Sequence, residues 1–359
     1  MTSMPTMSAP SRVIIGIDTH KFIHAAAALD DRGALLDTAT FGADSAGYRA
    51  LIDWAGGFGE QLTFAIEGSG CYGAGLATAV HAGGGSAIEV MRTDRHDRRR
   101  RGKSDILDAE NAARMVLAGR ATAIPKAADG IVEMIREIKI AKDGASKARR
   151  TAMVSLKTVL VNAPAALREV LQPLPNMALI RRCAALRAGS ITTVTAATKH
   201  TLRALARRWL DLNSEVTSHQ RLLRTLTDQL APQLTDAVGI GPDHAADLLV
   251  VLGDNAGRIH SEAAFAKLCG VCPIPASSGQ TQRHRLNRGG HRGANRALHM
   301  AVVVRMKYHA PTQAYLARRT AEGKTKREIM RCLKRSLARE IWMLTKPLRT
   351  SLQTSTPTT

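Results

Sequence analysis

Short apolar runs of strand length recur through the first ninety residues, separated by turn residues, and that rhythm leaves few ways to fold. Residues 13–18 form an apolar run ending in Asp18, the pattern of a buried strand. Residues 24–29 and 34–41 predict two more strands, with Asp30-Asp31-Arg32-Gly33 as the turn between them. Residues 45–54 then carry helical character, 62–66 a fourth strand, 72–81 a helix and 86–91 a fifth strand. Three consecutive strands followed by helix–strand alternation predict an α/β domain, a mixed sheet with flanking helices. Residues 104–118 add a helix with Ser104 as its N-cap. Aromatic residues make up only 3% of the chain, so the core must rest on Ala, Leu, Val and Ile.

A break follows at 120–130, where Pro125, Asp129 and Gly130 cluster. Strand signals vanish from 131 to 235. Leu202, Leu205, Trp209, Leu212, Val216, His219, Leu223, Leu226 and Leu230 are spaced alternately by three and four, a heptad seam. The seam suits an intramolecular helical hairpin or a contact between protomers. Residues 237–252 resemble a helix-hairpin-helix turn, in which Gly239 and Gly241 expose backbone N–H groups to a phosphate at a helix N-terminus. The expected organisation is a disordered leader at 1–11, the α/β domain at 12–125, a helical coiled-coil linker at 126–235, a basic and mainly α-helical domain at 236–349, and a disordered tail at 350–359.

The formal net charge is +21. A protein this basic repels itself unless it meets a polyanion, with nucleic acid the first candidate and an anionic membrane surface the second. No run of 18 apolar residues predicts a transmembrane helix, and the polar N-terminus lacks a signal-peptide core. Five scattered cysteines without such a signal point to a reducing cytoplasm and no disulfide framework. Arg98, Arg99, Arg100, Arg101 and Lys103 form one basic run. Residues 281–349 carry 18 Lys plus Arg against 3 Glu, a net of +15, and include Arg283, Arg285, Arg288, Arg292 and Arg296. These groups suit phosphate contacts.

Four acidic residues stand where the expected fold can gather them. Asp18 ends the first strand and Glu67 follows the fourth, while Asp105 and Asp108 share a helix face at three-residue spacing. Clustered carboxylates need a counter-charge, and hard oxygen ligands favour Mg2+ or Mn2+. Two such ions about 3.5–4 Å apart can clamp the oxygens of a phosphoryl transfer. The bland reading is a strand-end turn cap and a first-turn pair that complements the helix dipole. Further on, Ser277-Ser278-Gly279 sits among arginines. A hydroxyl there can attack a phosphodiester and hold it as a phosphoserine, although Ser-Ser-Gly is also a common turn. Cys269 and Cys272 form a lone CxxC pair without a second pair to complete a zinc site, and read as buried thiols.

Gly16-Ile17-Asp18-Thr19-His20-Lys21, Ile66-Glu67-Gly68-Ser69-Gly70 and residues 103–109 (KSDILDA) resemble, in order, the three blocks of the DEDD insertion-sequence transposases. Residues 265–298, with the Ser-Gly step, are similar to that family's C-terminal domain. The resemblance covers roughly residues 13–310. It implies a RuvC-like, ribonuclease-H-like catalytic domain with Asp18, Glu67, Asp105 and Asp108 as metal-binding tetrad. It also implies an essential serine at Ser278, with Ser277 the second candidate, and a DNA recombinase assembled as a homo-oligomer on DNA. By the same resemblance a structured guide RNA pairs with donor and target DNA. A Mg2+-dependent structure-specific endonuclease, with water as nucleophile, is the alternative. A non-catalytic nucleic-acid-binding protein is a third reading. A kinase reading of Gly16-Ile17-Asp18-Thr19 lacks a later adenosine-site glycine motif.

Overall fold

The computed structural model describes residues 12–90, 104–255, 258–280 and 284–354. Arg98, Arg99, Arg100, Arg101, Lys103 and Arg283, together with the expected leader, lie outside the described residues. The chain divides into two compact units: one holds the N-terminal part to Gly130 and the segment 252–260, the other holds 131–251 and 261–349. Among the described residues no helix is long and apolar enough to cross a membrane.

The first unit is built on a five-stranded sheet in the order β3-β2-β1-β4-β5. Its strands are β1 (Val13–Thr19), β2 (Ile23–Asp30), β3 (Leu35–Gly42), β4 (Leu62–Glu67) and β5 (Ser86–Val90). β1, β2 and β3 pair antiparallel as a meander, whereas β4 pairs parallel to β1 and β5 parallel to β4. The mixed sheet follows from chain connectivity. Short turns join antiparallel neighbours, while the parallel strands need the crossover helices α1 (Ser45–Gly56) and α2 (Ala74–Ala82). The Asp44 side chain caps α1 by accepting from the backbone N–H of Ala46 and Gly47.

Alternation along the buried strands sorts two cores. Val13, Ile15, Ile17, Phe64 and Ile66 pack with Leu51, Leu76 and Val80 of α1 and α2. Ile14, Ala27, Leu29 and Ala65 pack on the opposite face with Ala109, Ala112, Ala113 and Val116 of α3 (Asp105–Leu117). The second layer is nearly all alanine, so helix and sheet approach closely. Gly16 makes this possible: a Cβ there would stand 1.9 Å from the Ala109 carbonyl oxygen. This contact fixes the height of α3 above β1, and with it the position of the helix's acidic first turn.

The second unit is helical apart from one short hairpin. Helix α4 (Ile131–Val161) packs along α7 (Val194–Leu230), with α5 (Ala165–Leu171) and α6 (Asn176–Ala184) between them in sequence. Leu156 shares a core with Leu202 and Ala206, while Arg149 donates to Asn213 Oδ1, so the two long helices run antiparallel. Leu202, Val216 and Leu223 of the heptad seam are buried within this chain. The other six seam residues, Leu205, Trp209, Leu212, His219, Leu226 and Leu230, are partly exposed, so α7 packs on α4 within the chain and keeps an accessible edge.

Beyond it follow α8 (Pro232–Thr235), α9 (Pro242–Leu252), α10 (Glu262–Leu268), β6 (Ile274–Pro275), β7 (His284–Arg285), α11 (Arg292–Tyr308), α12 (Ala310–Ala321), α13 (Lys326–Leu344) and α14 (Lys346–Thr354). Helix α14 enters the segment expected to be disordered, with Leu348 buried and Arg349 lying over the Trp342 ring and donating to its carbonyl.

Candidate active site

Asp18, Asp105 and Asp108 come together at one edge of the sheet, and strand register sets Glu67 beside Asp18 there. Gly16 and Asp18 alternate onto the face covered by α3, as do Ala65 and Glu67. Parallel pairing of Ile17 with Ile66 sets Asp18 beside Glu67 at the carboxyl ends of adjacent strands. The Thr19 hydroxyl donates to the Glu67 carbonyl oxygen at 2.7 Å and ties the strand ends together. Gly68 turns the chain at once with φ +72, and a Cβ there would stand 3.0 Å from Thr19 Oγ1. From above, the first turn of α3 supplies Asp105 and Asp108. Ser104 occupies the N-cap position in extended conformation, but its hydroxyl makes no capping hydrogen bond. Asp18, Glu67 and Asp108 are 7%, 9% and 4% exposed, whereas Asp105 reaches the surface.

The tightest group contains a residue absent from the expected tetrad. His20 Nε2 lies 3.2 Å from Asp18 Oδ2 and 3.4 Å from Asp105 Oδ1. One ligand atom from each of these three residues falls within 4.8 Å of the other two. Asp108 joins through charge, and Glu67 stands alongside by strand register. Burial pushes the Asp18 carboxyl above its ordinary range. His20 pulls it down, and the negative charges of Asp108 and Asp105 push it up again. His20 lies two residues after Asp18, just past the end of β1, and its place in the group becomes visible only once α3 is set over that strand end. Buried carboxylate oxygens of like charge with an imidazole beside them are a donor set that fits a divalent cation.

The second expected block lies on the second unit. β6 and β7 pair antiparallel, Ile274 with Arg285 and Pro275 with His284, and their connection carries Ser277 and Ser278, both exposed. Side-chain amides anchor the hairpin's flanks. Asn287 donates to the Lys267 carbonyl, and Asn295 donates to the carbonyls of Cys269 and Gly270. Arg285, Arg288 and Arg292 are exposed around it. Arg296 is tied down instead: its guanidinium lies 3.2 Å from Asp247 Oδ2 and 3.8 Å from Asp143 Oδ2. Asp247 also meets the buried Lys139, which reaches Asp143 and Asp243 as well.

The glycine turn has its own structural work. Gly239 has φ +85, and a Cβ there would stand 2.8 Å from the Ala301 carbonyl oxygen, while Arg305 Nε donates to the Val238 carbonyl. The first turn of α9 already carries Asp243, held by Lys142 at 2.6 Å. A phosphate at that N-terminus therefore competes with the protein's own carboxylate. Gly241 is open to its surroundings.

Comparison with known proteins agrees with this layout. Residues 15–163 match a family model for the DEDD transposases of the IS110 type, and residues 231–317 match one described as the transposase IS116/IS110/IS902 family. A curated relative, an uncharacterized 43.6 kDa protein of insertion element IS110 from Streptomyces coelicolor, is 34% identical over 97 residues. That match covers 27% of this chain and 24% of the relative, so the chain aligns with about a quarter of the relative's length. The two family models cover the sheet domain with the long helix α4 and the serine-bearing segment in turn, which places this chain in the IS110 family of DEDD transposases.

Proposed function

We propose that the chain is a DNA transposase that cuts and rejoins strands by transesterification, with the Asp18, Glu67, Asp105 and Asp108 edge as its phosphoryl-transfer centre. The convergence of these side chains, distant in sequence, at the carboxyl ends of β1 and β4 under the first turn of α3 carries the reading. The four carboxylates would hold Mg2+ or Mn2+. When bound, such an ion polarises a phosphoryl oxygen and stabilises charge on the displaced one.

Ser278 is the nucleophile in this reading, with Ser277 second. Its Oγ bonds to phosphorus and the phosphodiester's P–O bond to one deoxyribose breaks. The serine proton leaves and the departing sugar oxygen gains one, so one phosphate ester replaces another without spending a bond. Attack by an incoming strand's hydroxyl reverses the step and releases the serine. The exposed Arg285, Arg288 and Arg292 suit the scissile strand's backbone, with Arg296 and the Gly239–Gly241 turn as lesser contacts. A structured RNA that pairs with both DNAs would choose the sites, leaving the protein to grip backbones, and several protomers would assemble to cut four strands.

The test is strand exchange by the purified chain on DNA bearing the boundary of its own element, with the RNA transcribed beside its reading frame. Ser278→Ala is expected to abolish both joining and a covalent protein–DNA adduct, and Asp18→Asn to abolish all cleavage. Cleavage retained by Ser278→Ala would favour a hydrolytic nuclease. Exchange insensitive to ribonuclease would remove the RNA from the scheme.

A further inference from the structure

A cavity of about 900 Å3 opens between the flanks of the β6–β7 hairpin, Arg319 near the end of α12, and one face of α13. Its volume falls within the range of about 300–1,000 Å3 usual for small-ligand sites. Val271, Leu286 and Ile329 give it an apolar wall. Its cations are in excess. Of the lining carboxylates and their neighbours, Glu262 is taken by Arg335, and Glu328 is spent on the Thr325 capping box that starts α13. Arg285, Arg331 and Lys334 have no carboxylate within ion-pairing distance among the described residues. Lys334 is 7% exposed, its ammonium donates to Asn295 Oδ1 at 2.6 Å, and burial pushes its pKa down while nearby Cys269 opposes that. A desolvated ammonium with two unpaired guanidiniums over an apolar wall is a site that lacks an anion carrying an apolar body.

We propose that this cavity takes one nucleotide extruded from a nucleic-acid strand, its base against Val271, Leu286 and Ile329 and its phosphate against Lys334, Arg285 and Arg331. Flat bases tolerate aliphatic contact, and extrusion costs least in single-stranded substrate. The same hairpin that carries Ser278 walls the cavity, so a strand pinned here is led past the serine. The inference rests on the nucleic-acid-handling function proposed above, and names the element of the second unit that holds the strand.

Two thiols report on occupancy. Cys272 and Cys332 line the cavity and are at least partly exposed, while Cys71 is exposed on the other unit. Alkylation by iodoacetamide, followed at each cysteine by peptide mass spectrometry, is measured on the full chain. The added probes are a short oligothymidylate, its RNA counterpart, an abasic chain of equal length and inorganic phosphate. Binding is followed in parallel by fluorescence anisotropy. The oligothymidylate at ten times its Kd is expected to slow Cys272 and Cys332 by about tenfold. The double variant Arg285→Ala, Arg331→Ala changes only exposed side chains and is expected to lose that protection while still binding elsewhere. Oligonucleotide that binds without slowing either thiol overturns the proposal. Equal protection by the abasic chain or by phosphate also overturns it, reducing the cavity to an anion site. Protection by RNA alone or DNA alone assigns the strand. No binding of any oligonucleotide counts instead against the nucleic-acid function itself.

Discussion

Replacing Gly16 with Ala tests the contact that positions the acidic edge proposed as the phosphoryl-transfer centre. The new Cβ would stand 1.9 Å from the Ala109 carbonyl oxygen and 2.8 Å from the Ala113 nitrogen, both backbone atoms of α3. To restore even 3.0 Å from that oxygen the helix must withdraw by about 1.1 Å, the difference between the two distances. Overpacking that side chains can absorb costs about 1–3 kcal/mol, and a backbone obstacle belongs at the upper end. A loss of about 3 kcal/mol in a unit of this size lowers Tm by roughly 10 °C. Activity should suffer more than stability. Asp105 and Asp108 ride on the displaced helix, and a shift of about 1 Å in a catalytic group can cost on the order of a hundredfold in rate. Calorimetry of the full chain and strand cleavage measured well below the variant's Tm separate the two losses. Gly144→Ala is the comparison, since a Cβ there meets nothing within 4 Å inside α4. It should stabilise by about 0.5–1 kcal/mol. A Gly16→Ala variant with the Tm and cleavage of the wild type would refute the claim that this alanine-lined layer sets the site.

Asp18→Asn should raise Tm in chelator while abolishing stabilisation by Mn2+. Burial lifts the Asp18 pKa, so the folded state binds more protons than the unfolded chain above pH 3.8, and the ionised carboxylate destabilises the metal-free fold once pH exceeds the raised value. A variant less stable than wild type in chelator contradicts this sign. His20→Ala should weaken Mn2+ binding more than Mg2+ binding in calorimetric titration, because imidazole is the softer ligand beside Asp18 and Asp105; equal losses would make His20 a charge partner only. Lys139→Met should destabilise the second unit by about 3 kcal/mol, since it leaves the buried Asp247 to the half-exposed Arg296 and makes Asp143 and Asp243 rely on Lys142. Denaturant unfolding checks this, and a change under about 1 kcal/mol would mean that Lys142 and Arg296 compensate.

How far the residues themselves announced this arrangement depends on the range of the interaction. Strands at 13–18 and 62–66 and the helix from 104 were readable because apolar period and turn residues are local signals. The order β3-β2-β1-β4-β5 was not, because it depends on which distant strands pair. The heptad seam from Leu202 to Leu230 named no partner, and the fold is what shows its Leu202 end packed with Leu156 and Leu160 of α4. Arg296 shows the same limit for charge. Counting cations over 281–349 makes every arginine a phosphate ligand, yet its carboxylate partners lie 49 residues away at Asp247 and farther off at Asp143.

The carboxylates and His20 divide along that line too, and the division bears on mechanism. Acidic residues that close an apolar strand stand out locally, and the pair in a helix's first turn stands out by its spacing although it also complements the dipole. A histidine two residues past a strand aspartate stands out only once the strand's end and α3 are known to face each other. Its imidazole also opposes the mutual repulsion of Asp18, Asp105 and Asp108 before any cation arrives. Its Nε2 faces both Asp18 and Asp105, and that same nitrogen is the atom a cation between them would take. Mn2+ bound at this edge should therefore broaden the His20 imidazole resonances beyond detection, and His20 resonances that stay sharp in a chain that has bound Mn2+ would put the imidazole outside the metal's reach.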